Sequence, residues 1–393
     1  MAITAVVNER TVVWRDPKRY LWLVGTGIPL IPFIAFGAAV GLHWRVMWYF
    51  GPFFVFVMVP VIDLLAGLDR SNPPDEVIDA LENDKYYRWI TYAFIPLQYL
   101  AFGLVAYLLG GGSIFGSGQL TVVDKIGAAL GIGMVGGIAI NTAHELGHKK
   151  DEHERWFARI ALAQTFYGHF FIEHNRGHHV RVATPEDPAS SRVGENVWQF
   201  MPRTVIGSLK SAWHLEKARF ARLNKSPWTL KNDVLNAWAF SVVLWGGLIA
   251  AFGWAILPYL VLQAAVGIWL LESVNYLEHY GMKRRKLESG RYERVNTSHS
   301  WNSNNIGTNV LLYHLQRHSD HHANPTRRYQ ALRDFKDSPV LPTGYAGMIV
   351  LTWVPAIWRH VMDKRVLAHY EGDISQANLA PSKRDKLIAE YAA

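Results

Sequence analysis

Several stretches of this chain run for about 20 residues with little or no charge, the length a helix needs to cross a bilayer core. They constrain the fold more than any other feature. They cover about 20–43, 46–67, 89–111, 125–142, 234–253 and 255–276. In lipid a backbone must satisfy its own polar groups, so runs of this length predict helices. Pro29, Pro32, Pro52 and Pro60 fall inside the first two runs, and membrane helices tolerate them. The turn at His43-Trp44-Arg45 and the uncharged loop Gly110–Gly116 are too slight to hold a domain. The expectation is an all-α integral membrane protein, with six transmembrane helices in three hairpins and a histidine-rich cytoplasmic catalytic portion. It forms one domain over 1–393, with cytoplasmic segments at 144–231 and 277–393. Lys and Arg are concentrated in the N-terminus, 68–88, 144–231 and the C-terminal part, which places that side in the cytoplasm. The apolar patch Tyr345–Trp358 is short for a span and is expected at the interface or against the bundle. No cleavable signal peptide is evident, because the first twenty residues are polar and mixed in charge.

Composition narrows the chemistry. Half of the residues are hydrophobic and only 18% are charged, yet mean hydropathy is +0.03, so apolar spans alternate with polar segments. There is no cysteine. That excludes disulfides, thiolate metal sites, iron–sulfur centres and cysteine nucleophiles. The formal charge of +8 fits cytoplasmic loops of a membrane protein, or a basic face for an acidic partner. No Arg-rich tail or motif points to nucleic acid.

Histidine and carboxylates remain as metal ligands, and there are 17 histidines. His144-Glu145-Leu146-Gly147-His148 fits H-E-x-x-H, the zinc site of a metalloprotease. It has companions: Glu173-His174-Asn175-Arg176-Gly177-His178-His179, then Asn275-Tyr276-Leu277-Glu278-His279-Tyr280, then Gln316-Arg317-His318-Ser319-Asp320-His321-His322. Each group falls at or beyond the predicted cytoplasmic end of a span. Spacing of i, i+4 and adjacent pairs let imidazoles reach one centre or two close ones. His144, His148, His174, His178, His179, His279, His318, His321 and His322 overfill one ion and suit two. Imidazole accepts Zn, Cu, Fe or Ni, so ligand type leaves the metal open.

The pattern H-x3-H, H-x3-H-H, H-x2-H-H on a membrane protein resembles the integral-membrane di-iron oxygenases and desaturases. Within them, Asn141–Lys149, Glu173–His179, Asn275–Gly281 and Leu315–Pro325 are similar to the alkane 1-monooxygenase (alkane omega-hydroxylase) family, along essentially the whole chain. The resemblance implies that these nine histidines bind two iron ions. It implies terminal hydroxylation of medium-chain n-alkanes to 1-alkanols with O2, by hydrogen abstraction and hydroxyl rebound. It also implies two electrons from rubredoxin, itself reduced by a rubredoxin reductase, and a place in the bacterial inner membrane. With no cysteine, this sequence does not itself contain a rubredoxin domain. A fatty-acyl desaturase or hydroxylase and an alkyl-aromatic hydroxylase share the boxes. An intramembrane zinc protease would use only His144, Glu145 and His148, and a non-catalytic metal transporter would place ionisable residues along a path through the spans, whereas here they gather at one end.

Neutral imidazoles leave the metal charge uncompensated, so carboxylates are expected behind the ligands, accepting the other ring N–H. Glu145, Glu173, Asp187, Glu278 and Asp320 are the candidates. Lys149, Lys150, Arg203, Lys210, Lys283, Arg284, Arg285, Arg327 and Arg328 are candidates for docking an acidic electron carrier. The run Gly131-Ile132-Gly133-Met134-Val135-Gly136-Gly137 suits close helix packing or the lining of an apolar substrate channel. His169 and His314 precede clusters but are left outside the ligand set.

Overall fold

The computed structural model describes residues 2–7 and 10–391. It opens on an antiparallel hairpin, β1 (Ile3–Val7) with β2 (Arg10–Trp14), in which Ile3 faces Trp14. Six helices are long and apolar enough to cross a membrane: α1 (Leu23–Gly41), α2 (Arg45–Ala66), α3 (Lys85–Leu109), α4 (Val122–Gly147), α7 (Asp233–Phe252) and α8 (Trp254–His279). They match the expected spans in order, and the fold is the expected helical membrane bundle.

Helices α4 and α8 outrun their expected ends at 142 and 276, reaching Gly147 and His279. The apolar runs stop at the first polar residues, but the helices do not. Inside the bundle those residues find partners: Asn141 donates to the Leu312 carbonyl at 2.8 Å and Asn275 to Glu272 at 3.1 Å. Polar groups at membrane depth persist when they face the interior and are paired.

Helix α4 is the axis of the molecule. Of its apolar window 89% is buried, against 22% for α2 and 17% for α7, which present apolar surface to lipid. Its glycines permit this. A Cβ at Gly51 of α2 would lie 2.6 Å from the Gly131 Cα, and one at Gly133 would meet Val266 of α8 at 2.8 Å. Small residues let helices approach where lipid gives no hydrophobic drive. The helix starts on a capping box between Thr121 and Asp124, and Arg45 pairs with Asp124 from the neighbouring hairpin.

The 144–231 segment departs from expectation. Helix α5 (Glu152–Ala163) turns back from the end of α4 and runs down its side. At its foot Gln164 donates to the Ile132 carbonyl at 3.0 Å and to Gln263 at 3.1 Å, and receives a bond from Gln98 at 2.9 Å. Ile132, Gln98 and Gln263 lie near the middles of α4, α3 and α8, so the chain dips to mid-span. It then climbs back through Tyr167–Ile172. Twelve residues are half a span and carry no transmembrane signal of their own. Helix α6 (Val197–Arg222) follows, opened by an Asn196–Gln199 capping box.

Two short helices, α9 (Ile306–Leu311) and α10 (His318–Ala323), fill the C-terminal part before α11 (Tyr345–Thr352) and α12 (Pro355–His369). The apolar patch packs against the bundle: Trp353 meets Phe56 edge-on at 5.1 Å and Trp269 at 5.6 Å.

Candidate metal centre

Each histidine group reaches the site by a different local device. His144 sits on the last turn of α4 and His148 caps it, four residues on along the same face. Glu173–His178 is a π-helical turn. In an α-helix residues five apart diverge; the wider turn, a frequent mark of functional sites, sets His174 and His179 with their Nε2 atoms 3.0 Å apart. His279 ends α8, and His318, His321 and His322 lie on α10.

The nine form two groups. His144, His148, His174, His179 and His321 make one; His178, His279, His318 and His322 make the other. The adjacent pairs are split: His178 and His179 face different groups, as do His321 and His322. In the first group Nε2 atoms of His144 and His321 lie 2.9 Å apart, and those of His321 and His179 3.1 Å. In the second, His318 Nε2 stands 2.9 Å from that of His322 and 3.3 Å from that of His279. Donors about 2.1 Å from one ion at right angles lie roughly 3 Å apart, the spacing found here.

Two further features fit a metal. The buried Nε2 atoms of His148 and His178 have no partner among the described residues, a costly arrangement without an ion. Burial and neighbouring imidazoles hold His174, His179, His318, His321 and His322 well below the usual histidine range, leaving them neutral and able to donate a lone pair.

The carboxylates divide. Asp187 accepts from His178 Nδ1 at 2.9 Å, behind the face turned to the other histidines. Burial pushes Asp187 up, but His178 and Ser190 outweigh it and leave the carboxyl at about 2. Glu278 reaches the opposite side of a ring: its Oε2 is 3.2 Å from His318 Nε2, among the converging nitrogens. The other three touch cations instead of imidazoles. Glu145 pairs with Lys149 at 2.9 Å, Asp320 with Arg327 at 2.7 Å and Glu173 with Arg181 at 2.7 Å. Burial lifts Glu173 to about 7 against the pull of Ser211 and Arg181.

Several candidate docking residues turn inward. Lys149 is buried against Glu145 and the Arg327 carbonyl. Arg328 pairs with Glu154, Arg203 with Glu195, and Arg284 donates to the Val180 and Val182 carbonyls. Lys150, Lys210 and Arg285 stay exposed. His169 and His314 lie outside both groups; His314 spends Nδ1 on the Tyr329 carbonyl at 3.0 Å.

An apolar cavity lies within the bundle. Phe54, Val55, Gly137 and Leu270 line its deep part, and Asn141, Val274, Leu315 and Tyr345 its end nearer the histidines. Gly137 also packs against Leu270, where a Cβ would come within 2.8 Å, so the glycine run serves both packing and lining. Tyr345 and Thr308 are lining residues that no sequence motif marks. Their only signal is proximity in the fold.

The sequence profile of the fatty acid desaturase family matches residues 125–352, a stretch containing both histidine groups. The chain is similar to the alkane 1-monooxygenase of Acinetobacter baylyi, 46% identical over 382 residues, or 96% of this chain and 91% of that protein. It is 45% identical over 370 residues to alkane 1-monooxygenase 1 of Alcanivorax borkumensis, covering 94% of this chain and 90% of the relative. With the alkane 1-monooxygenase of Pseudomonas putida it shares 44% over 376 residues, 96% of this chain and 92% of that one. Kinship over more than nine-tenths of the chain extends beyond the histidine boxes, and the chain belongs to the alkane 1-monooxygenase family, within the wider fatty acid desaturase family.

Proposed function

We propose that this protein hydroxylates the terminal carbon of medium-chain n-alkanes, using O2 and two electrons from reduced rubredoxin, at a centre of two non-heme iron ions. The observation that carries this reading is the apolar cavity between the spans, lined by Asn141 and Leu315 on the same segments that go on to carry His144 and His318 of the buried histidine groups. One oxygen atom enters the terminal C–H bond; the other leaves as water with the two electrons and two protons.

His144, His148, His174, His179 and His321 would hold one ion, and His178, His279, His318 and His322 the other. When bound, iron supplies the reduction of O2 and the oxidation of the C–H bond. Asp187 fixes the tautomer and orientation of His178 through Nδ1. Glu278 alone among the candidate carboxylates has an oxygen beside a converging Nε2, where it adds negative charge to the second group. An n-alkane offers no polar handle, so affinity rests on burying methylenes at about 0.8 kcal/mol each. Selectivity for the chain end then follows from a narrow apolar passage that presents only the tip. The lipid bilayer delivers the substrate sideways.

The Lys and Arg on the histidine side support a cytoplasmic orientation of that side, in a bacterial inner membrane. There the exposed Lys150, Lys210 and Arg285 offer positive charge to an acidic carrier. The deciding experiment is anaerobic reconstitution of the purified protein with ferrous iron, then turnover of n-alkanes of graded length with reduced rubredoxin. The expected result is about two iron ions per chain and 1-alkanol as product. Absence of 1-alkanol at every chain length sinks the reading.

A further inference from the structure

Beside the spans, on the histidine side, lies a second concavity, outside both histidine groups. It is a groove of about 590 Å3 between α5 and α7, lined by Lys150, Arg155, Trp156, Arg159, Leu230 and Lys231 among others. Lys150 and Lys231 are exposed, Arg155 is half-exposed, and none of the three has a carboxylate partner among the described residues. The acids in the groove do not cancel them. Asp233 is already shared by Arg159 and Arg176, leaving Glu152 as the free acid.

The groove has two levels. Lys231 lies just before the first residue of the span α7, and Lys150 just after the end of α4, so the basic rim stands at the membrane–water boundary. Deeper, Trp156 packs edge-on against Phe240 of α7 at 5.8 Å, alongside lipid-facing helix surface. Leu230 and Trp228 beside the rim are 67% and 74% exposed, as expected of side chains resting in the interfacial layer. Arg159 also lines the groove. It is 8% exposed, its guanidinium bonds Asp233 and Asn236, and its Nε has no partner among the described residues.

We infer that this groove binds the phosphate headgroup of an anionic phospholipid, with an acyl chain lying along Trp156 and Phe240. Basic pockets at the cytoplasmic ends of spans recognise such headgroups by charge. The exposed Trp156, Trp228 and Leu230 beside the basic rim argue for a lipid over a soluble anion. The site has a route to the histidines. Asp233 Oδ1 accepts from Arg159 at 3.0 Å and Oδ2 from Arg176 at 2.6 Å, and Arg176 sits between His174 and His178 on the π-helical turn. A lipid wedged between α5 and α7 therefore braces the segment that carries three of the nine histidines, His174, His178 and His179.

The test compares the full-length protein in nanodiscs of phosphatidylcholine alone and of phosphatidylcholine with phosphatidylglycerol. Native mass spectrometry reads retained lipid and thermal unfolding reads Tm. Wild type is expected to retain phosphatidylglycerol in preference to phosphatidylcholine and to show a higher Tm with it. At roughly fivefold per basic charge near a membrane surface, Lys150→Gln/Arg155→Gln/Lys231→Gln lowers retention by about a hundredfold and abolishes the Tm difference. Lys150→Arg/Lys231→Arg, which keeps the charge, and Lys364→Gln, an exposed lysine on α12, retain both. Equal retention by the triple variant overturns the inference. So does a Tm rise reproduced by inorganic phosphate alone, which marks a free-anion site. A triple variant that binds lipid normally but loses affinity for reduced rubredoxin also overturns it, and assigns the groove to the protein partner.

Discussion

A histidine is defined here by what stands behind it. Asp187 is the one candidate carboxylate seen on an Nδ1, that of His178. Asp187→Asn keeps the shape and removes the charge. It is expected to weaken iron binding by about tenfold or more with helical content unchanged, read by metal titration and circular dichroism. Glu145 shows the opposite lesson. Its place in H-E-x-x-H suggests a general base, whereas its carboxylate is engaged by Lys149. Away from the centre, Asp69 ties the loop after α2 to Lys18 at 2.5 Å. Burial raises its pKa, and the bonds from Lys18 and Ser71 outweigh that, leaving it at about 2 against an ordinary 3.8. The folded state therefore binds this proton less readily than the unfolded chain. The stability it contributes is complete above the unfolded pKa and is lost as pH falls from 3.8 through about 2. Tm measured across that range is expected to fall less steeply in Asp69→Asn than in wild type.

Among the elements, the glycines of α4 and its neighbours divide by what they face. A Cβ at Gly51 would meet backbone at 2.6 Å, whereas one at Gly131, across the same contact, finds its nearest neighbour, the Trp48 carbonyl oxygen, at 3.8 Å. Gly51→Ala is expected to lower stability by about 1–3 kcal/mol, as overpacking does, and Gly131→Ala to be nearly neutral. Thermal unfolding in detergent distinguishes them. The same scale explains why α5 is invisible to a search for spans. It is half a span long, and its foot is held by Gln98, Gln164 and Gln263, polar residues that bond one another only because three helices bring them together.

Over the whole molecule, the cavity and the charged face carry separate predictions. Val55 lines the deep part of the cavity, so Val55→Phe is expected to shorten the longest alkane accepted. Each excluded methylene costs about 0.8 kcal/mol, roughly fourfold in affinity. Product yields across a chain-length series check this: a fall for long chains with short ones spared supports it, and a uniform loss counts against it. Activity with reduced rubredoxin is expected to fall steeply with ionic strength, because exposed charges are screened within about 10 Å at 0.1 M salt. Turnover that ignores salt removes the electrostatic dock.

The sequence by itself determined the membrane bundle, its six spans and the nine histidines that converge. Span length is fixed by bilayer thickness, and clustered imidazoles need no alignment to stand out. Only the tertiary structure decided how those histidines divide. Adjacent residues such as His178 and His179 read as one box, yet a π-helical turn aims them into different groups. It also decided which carboxylates meet an imidazole and which meet a cation, and that a charged-looking segment dips to mid-span. Those outcomes depend on partners far apart along the chain, and no local spacing encodes them.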